Sequence, residues 1–229
     1  MPDVPNRSLY ERDLAADLRA SFADERARAE RGEEPDWERL RGRTDEAIAV
    51  VLLLVFMLAD KRFNKIVLGG QGANLPPGTA SNYVAQRAGT VSAALVRNMQ
   101  AEFQVLRGTA QSQAELSAGL DVVFSDARAE GTAVTEITGA VSTAETQAAE
   151  LYNRQLSIGA FGVAAIGAVG LASATLAPLT AIWKTELDSK VCPICFPLEG
   201  EPKDSWEHDF PDGPPAHPRC RCTLDWIEA

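Results

Sequence analysis

The chain alternates between stretches in which apolar residues recur every three or four positions and stretches rich in glycine, proline and charge. Residues three or four apart share one face of an α-helix, so this recurrence predicts amphipathic helices. The first runs over residues 8–31, where Ser8 and Glu11 have the spacing of a capping box. Its apolar face is formed by Leu14, Leu18 and Phe22, with Leu9 nearby.

A second helix is predicted around the apolar run AIAVVLLLVFMLA, residues 47–59, after a charged connector at residues 33–43. Thr44 or Asp45 is the expected cap. Because this run is apolar nearly all round, the helix should be central or lie at an interface, including one between copies of the chain. The Gly/Pro cluster at residues 69–78 predicts the loop that follows.

Three further helices are predicted over residues 81–106, 110–129 and 132–156, each carrying an apolar face. Several long helices with short joins are typical of a helical body. The face of the first of these three helices is traced by Tyr83, Val84, Val91, Leu95, Met99, Phe103 and Leu106.

Residues 157–182 contain no charged side chain and are long enough to cross a bilayer as a helix. They are mostly Gly, Ala, Ser and Thr, which insert weakly compared with Leu or Phe. A buried helix or helical hairpin is therefore expected, with a transient membrane contact as the alternative. The run at residues 47–59 is too short to span.

The composition narrows the function further. The net charge is −10 and the pI about 4.8, which argues against coating nucleic acid but leaves a local DNA contact open. The N-terminal sequence is charged and lacks the apolar region of a secretory signal, so synthesis in the cytoplasm is expected.

The amino-acid composition changes after Trp183. Seven of the 13 prolines and all four cysteines fall in the last 47 residues, 183–229. A proline-rich segment cannot form a long helix or a central strand, so it needs another source of order. Thiolate and imidazole ligands in tight pairs are typical of structural zinc sites. Zinc is predicted at a site whose candidate ligands are Cys192, Cys195, His217, Cys220 and Cys222.

Two ligand sets remain open at this point: the four cysteines, or His217 in place of Cys222. Disulfide bonds are a competing interpretation. A thioredoxin-like redox pair is disfavoured because no βαβ pattern surrounds the cysteines. The chain is not predicted to be an enzyme, since it lacks a phosphate-binding loop and a Cys–His nucleophile would need His208 beside a free thiolate. Solvated loop charges are a simpler reading of Asp188, Glu199, His208 and Asp209 than a second metal or acid–base site.

The residues of the C-terminal half resemble the phage Mu F-like minor head proteins, the phage head morphogenesis family. The resemblance covers roughly residues 110–229. It is carried by Thr135-Glu136, WKTELD (183–188), VCPIC (191–195), LEG (198–200) and PAHPRCRC (215–222). In relatives, the Thr-Glu helix and the Trp-x-Thr segment are closer together, whereas here residues 157–182 separate them.

The resemblance implies a virion component in the head, near the portal, that aids head morphogenesis. Its implied partners are the portal protein, capsid or scaffolding proteins and packaged DNA. The alternative is a DNA-ejection factor that contacts the host membrane through residues 157–182. Asp188 is expected to fix the turn before the cysteines, and Arg221 to brace the module or meet a partner.

The predicted fold is therefore mainly α: a helical body with a small Pro-rich C-terminal α+β zinc-binding module. Three parts are expected: N-terminal helices at residues 1–68, a helical body at 69–182, and the Cys/His module at 183–229.

Overall fold

The structure is a computed structural model that describes residues 4–70, 74–165, 177–186 and 192–229. These residues are mainly helical, with one small antiparallel sheet, so the predicted fold class is confirmed. The helices are α1 (Arg7–Glu30), α2 (Trp37–Ile66), α3 (Thr79–Thr109), α4 (Gln113–Val123), α5 (Asp126–Ala165) and the short α6 (Lys203–Trp206). The strands are β1 (Leu179–Lys184) and β2 (Thr223–Glu228).

Helix α1 lies within one residue of its predicted span, but it does not begin as predicted. Asn6 occupies the N-cap position and its side chain makes no capping hydrogen bond. The proposed capping box is wrong, because Ser8 and Glu11 lie inside the helix and Glu11 accepts a hydrogen bond from Arg7 at 2.8 Å. The predicted face is correct: Leu14, Leu18 and Phe22 are buried, whereas Leu9 is exposed.

Helix α2 is longer than predicted. Residues 37–43 are helical rather than part of a connector, and residues 44–45 lie inside the helix rather than at its cap. The side chain of Asp36 accepts the backbone N–H of Arg39 at 3.0 Å, which satisfies a donor of the first turn. The helix therefore starts after Asp36, which precedes the expected caps, Thr44 and Asp45, by eight and nine residues.

The apolar run of α2 divides into two faces. One face is buried and contains Ile48, Leu52, Val55, Phe56 and Ala59. On the other, Val50, Leu54 and Met57 are 65%, 47% and 44% exposed. The helix therefore contributes to a core and also presents an apolar stripe, which we call the α2 stripe and define as Val50, Leu54 and Met57.

The predicted helix at residues 110–129 is wrong, because the chain breaks between α4 and α5 at residues 124–125. Ser112 caps α4 by accepting the N–H of Glu115 at 3.2 Å, and Glu115 accepts the N–H of Gln111 at 2.8 Å. This reciprocal arrangement resembles a capping box. The helix predicted at 132–156 is the middle of α5, which has 40 residues.

Two compact units divide the chain, and their boundaries fall inside α2 and α5. The helical unit contains Asn6–Val55 and Gly78–Ile137; the C-terminal unit contains the described residues of Met1–Pro5, Phe56–Pro77 and Thr138–Ala229. Both units are discontinuous in sequence, unlike the three consecutive parts expected from composition.

The helical unit contains packed aromatic rings and a buried carboxyl group. The ring of Trp37 packs edge-on against Phe103 and stacks with Phe124, at centroid distances of 5.6 and 6.2 Å. The buried carboxylate of Glu25 accepts the Asp36 N–H at 2.7 Å and the guanidinium of Arg39 at 2.5 and 2.9 Å. Pairing of this kind is what allows a carboxylate to remain inside.

The C-terminal unit joins the ends of α2 and α5 to the sheet. Strand β1 runs antiparallel to β2 in the register Leu179↔Glu228 to Lys184↔Thr223. The Asn153 side chain on α5 exchanges two hydrogen bonds with the backbone of Leu179, each 2.8 Å long. A buried ion pair, Arg62 to Glu145 at 3.1 Å, joins α2 to α5.

The uncharged stretch at residues 157–182 is not one helix. Residues 157–165 continue α5, whereas residues 179–182 belong to β1, so the helical expectation is wrong for that end. Residues 166–176, on which the hairpin and membrane-contact hypotheses mainly fall, lie outside the described residues. Among the helices that the structure describes, none is long and apolar enough to cross a membrane.

Candidate metal centre

The candidate site lies in a small module within the C-terminal unit. We call residues 177–186 and 192–229 the C-terminal module. The module begins with β1, a few residues before the predicted start at 183, because β1 is the partner that β2 needs. Between the strands lie the cysteine turn, a 3-10 turn at Phe196–Leu198 and helix α6.

The module has a compact aromatic core around Trp183. This side chain is fully buried and meets Trp206 edge-on at 5.3 Å and Phe210 at 5.6 Å between ring centroids. Ala181 and Leu224, from β1 and β2, complete the apolar part of the cluster. The remaining buried members are the sulfur atoms of three cysteines: Cys195, Cys220 and Cys222.

The LEG motif connects the cysteine turn back to β1. Gly200 has a φ of +79°, which favours glycine, and its N–H donates to the carbonyl of Trp183 at 2.9 Å. Glu199 accepts the N–H of Thr185 and the ammonium of Lys184, each at 2.5 Å. Burial alone would raise the pKa of Glu199, but these bonds hold it below its ordinary value.

Two chain turns supply the candidate ligands. In the first, the N–H of Cys195 donates to the carbonyl of Cys192 at 3.1 Å and lies 3.4 Å from its Sγ. In the second, the N–H of Cys220 donates to the carbonyl of His217, also at 3.1 Å. Arg219 adopts a φ of +64° in this second turn, a conformation uncommon outside glycine. The first turn brings the side chains of Cys192 and Cys195 close together. The second turn places His217 beside that pair and Cys220 beside Cys195.

All five predicted ligands are brought together by these turns and by the start of β2. Their ligand atoms form two groups, Cys192 with Cys195 and His217, and Cys195 with Cys220 and Cys222. Within each group, all ligand atoms lie within 4.8 Å of one another, and Cys195 belongs to both. The cluster could therefore hold a metal ion.

One distance in the cluster matches a tetrahedral zinc site, and two are shorter. With zinc–sulfur bonds of about 2.3 Å, the sulfurs of a tetrahedron lie about 3.8 Å apart. The Sγ atoms of Cys195 and Cys220 are 3.8 Å apart. His217 Nε2 is closer to its neighbours, at 2.8 Å from Cys192 Sγ and 3.0 Å from Cys195 Sγ. A bound zinc ion would separate these atoms to about 3.6 Å.

The thiols influence one another strongly. A hydrogen bond from Cys222 lowers the pKa of the Cys220 thiol to about 5. Burial raises the pKa of Cys195 to about 12, and the neighbouring Cys220 adds to that effect. The pKa of Cys222 is raised, first by its hydrogen bond to Cys220 and then by burial. Of these three thiols, Cys220 is therefore the most easily ionised, and thiolates are what metals bind.

The four cysteines are free thiols, so the structure does not contain the disulfides considered above. Cys195, Cys220 and Cys222 are buried, whereas Cys192 and His217 are half-buried. Soft sulfur and imidazole donors gathered at this density suit zinc better than magnesium or calcium, which prefer oxygen.

Three of the other candidate site residues, His208, Asp209 and Glu199, do not join the cluster. His208 and Asp209 are exposed, and Glu199 is engaged by Lys184 and Thr185. Asp188, for which a role in the turn is predicted, lies outside the described residues. In the part of the chain that the structure describes, the groups able to hold a metal contain cysteines and His217 only.

Helix α5 supplies supporting contacts that the sequence analysis missed. The hydroxyl of Thr138 donates to the carbonyl of Cys220 at 2.7 Å, in a buried position. One turn later, the hydroxyl of Ser142 donates to the carbonyl of Asp212 at 3.4 Å. Gly213 has a φ of +70°, and a Cβ there would lie 3.0 Å from the Ser142 hydroxyl. The only sequence signal was two hydroxyl residues four apart on one helix.

The Thr-Glu pair of the motif lies in the helical unit rather than in the module. Thr135 donates to the carbonyl of Gly131 at 2.7 Å. Glu136 is buried and accepts two hydrogen bonds from Arg87, at 2.6 and 2.9 Å. Burial raises the pKa of Glu136 despite this partner.

Comparison with known proteins yields no match: no family model, no curated protein and no solved structure is similar to this chain.

Proposed function

We propose that this protein is a phage minor head protein whose C-terminal module is stabilised by a structural zinc ion. In this proposal it associates with the portal and the capsid interior during head assembly or DNA packaging. The observation that carries the zinc part is the convergence of Cys192, Cys195, His217, Cys220 and Cys222 from two separate turns.

The phage part of the proposal rests on the motif residues and gains support from their structural roles. Trp183 is the centre of the module core, the LEG segment hydrogen-bonds to β1, and the HPRC segment forms the second ligand turn. The described residues that carry the resemblance between positions 183 and 222 therefore belong to one folded module. This coherence is what a genuine family motif would produce, whereas a chance match would scatter its residues.

A structural role suits this centre better than a catalytic one. Catalytic zinc keeps one position for water or substrate, whereas structural sites are filled by protein ligands. Five possible donors form the cluster, and three of them are buried. A tetrahedral ion needs only four donors. His208, the other histidine, is exposed and does not belong to either ligand group.

The α2 stripe is our proposed contact surface for the portal or capsid partner. Val50, Leu54 and Met57 are large apolar side chains exposed on one helix, and burial of such side chains drives association. The competing proposal is that a second copy of the chain binds the same stripe.

The test is co-expression of the full chain with the portal protein of the same phage, followed by native mass spectrometry. A complex that is weakened by Leu54→Ser but not by Leu9→Ser supports the proposal. Leu9 is the matched control, because it is an exposed leucine on α1, 41% exposed against 47% for Leu54. Absence of any complex with portal or capsid proteins would contradict the head role.

The alternative function, DNA ejection through a membrane contact of residues 157–182, makes a different prediction. The full chain would then co-float with anionic lipid vesicles, and deletion of residues 166–176 would abolish flotation. A chain that stays with the soluble fraction counts against ejection and favours the head role.

A further inference from the structure

Two hydroxyl groups of helix α5 contact the segment that carries three of the five candidate ligands. We call residues 212–222 the ligand segment. The Thr138 hydroxyl donates to the carbonyl of Cys220 at 2.7 Å, and the Ser142 hydroxyl donates to the carbonyl of Asp212 at 3.4 Å. Because residues four apart lie on one face of a helix, both hydroxyls lie on the same side of α5. Helix α5 therefore contacts the ligand segment at its start and again near its end.

The ligand segment has few means of holding its own conformation. It lies outside the helices and strands, directly before β2. Pro214, Pro215 and Pro218 have no backbone N–H to donate. Arg219 has a φ of +64°, which is uncommon for a residue other than glycine. Contacts from outside the segment therefore contribute more to its conformation than they would in a helix or strand.

The hydrogen bond from Thr138 acts on the peptide group that follows Cys220. Thr138 is 1% exposed, so water does not compete for this bond. Because a peptide group is planar, a fixed carbonyl direction also fixes the path of the chain on both sides of it. Cys220 lies immediately before this peptide group, and Cys222 follows Arg221 on its other side. The bond therefore orients the link between two candidate ligands.

This contact bears on the metal centre whichever ligands are used. A structural zinc ion takes four ligands, and the cluster offers five candidates, so at most one is left out. The ligand segment contains three of the five, namely His217, Cys220 and Cys222. At least two ligands must therefore come from the segment that α5 contacts.

We propose that Thr138 and Ser142 are positioning residues of the metal centre, which hold the ligand segment against α5 in the conformation that binds the ion. This inference rests on the proposed structural zinc and goes beyond it by making zinc affinity depend on a helix that supplies no ligand. Thr138 has the larger effect of the two, because its hydrogen bond is shorter and ends on a candidate ligand residue.

The experiment measures the zinc affinity of full-length variants by competition with a chromogenic chelator. Thr138→Val keeps the shape of the side chain and removes the hydroxyl. It should weaken zinc binding about 10-fold, the lower end of the range for residues that contact a ligand rather than the metal. Ser142→Ala should weaken it about 2- to 3-fold, as expected for loss of one neutral hydrogen bond. Thr138→Ser restores the donor and should bind zinc as the parent chain does.

The matched control is Thr44→Val in the helical unit. Thr44 is fully buried, and its hydroxyl donates to the carbonyls of Leu40 and Arg41 within α2. The control therefore removes a buried threonine hydroxyl that has no contact with the ligand segment, and its zinc affinity should equal that of the parent chain. A loss of affinity as large as that of Thr138→Val would show a general effect of lost stability and would overturn the positioning role.

The outcomes separate this inference from the zinc proposal on which it rests. A parent chain that binds no zinc would overturn both. A parent chain that binds zinc, with Thr138→Val and Ser142→Ala binding it equally well, would overturn the positioning role alone. If far-ultraviolet circular dichroism shows that Thr138→Val does not fold, Ser142→Ala decides the matter, and an unchanged affinity in that variant overturns the inference.

Discussion

In the helical unit, order comes from long amphipathic helices whose apolar faces meet; in the C-terminal module, it comes from short segments gathered around sulfur, imidazole and three aromatic rings. The first kind of order is spread over many side chains, each contributing burial energy. The second is concentrated in a few atoms, so single changes should have larger local effects there. If the proposed zinc is bound, the module should depend on it and the helical unit should not.

Withdrawal of zinc should give the largest effect. Structural zinc contributes about 10–16 kcal/mol of apparent folding free energy in small zinc-binding peptides. The short strands of the module cannot replace a contribution of that size. A strong chelator should therefore remove hydrogen-exchange protection from β1 and β2 while leaving α1 protected. Mass spectrometry of peptides from each region measures this, and re-addition of zinc is the control. Loss of protection in both units together would contradict the contrast.

Replacement of Trp183 at the centre of the module core should have the second-largest effect on stability. Trp183→Ala removes a fully buried side chain that contacts Trp206 and Phe210, and such truncations cost about 3–5 kcal/mol. Hydrogen exchange of the zinc-loaded protein should show selective opening of the module. Phe196→Ala is the control, because that ring is 69% exposed and its loss should change stability by less than about 0.5 kcal/mol. Equal effects of the two changes would contradict the core assignment.

Helix α2 offers a matched test within the helical unit. Leu52 is fully buried and Leu54, two residues later, is 47% exposed. Leu52→Ala should lower the free energy of unfolding by about 2–5 kcal/mol, and Leu54→Ala by less than about 0.5 kcal/mol. Urea denaturation followed by far-ultraviolet circular dichroism measures both. A loss at Leu54 comparable to that at Leu52 would mean that the α2 stripe is covered in the isolated protein.

The sequence predicted the helical faces better than the helix ends. Burial follows periodicity, so Leu14, Leu18 and Phe22 were identified from their spacing alone. Ends depend on which polar side chain satisfies the free N–H groups, and several residues compete for that role. Asp36 rather than Thr44 serves at the start of α2, and Ser112 with Glu115 divides what looked like one helix.

At the candidate site, too, the sequence predicted the local pattern but not the contacts between distant segments. Residue type and spacing identified all five residues of the cluster that could hold a metal ion, because thiolate and imidazole pairs are a strong signal. The contacts from Thr138 and Ser142 were not predictable, since they join α5 to segments about 70 to 80 residues away. Strand β1 was missed because apolar residues in a short uncharged stretch are compatible with helix or strand.

The smallest predicted effect concerns the buried carboxylate of Glu136 and its partner Arg87, whose side chain is 39% exposed, in the helical unit. Burial raises the pKa of Glu136, so the folded state binds its proton more tightly than the unfolded state does. The stability from this group is fully present below the ordinary glutamate pKa and is lost as pH rises through the higher folded-state value. Glu136→Gln keeps an oxygen that Arg87 can reach and removes the titration. The variant should therefore gain stability relative to the parent chain as pH rises from about 4 to 7, by about 1.4 kcal/mol for each unit of pKa difference. Urea midpoints of both chains across this range measure the difference. A difference that is flat with pH would show that Arg87 compensates fully for the burial of the Glu136 carboxylate.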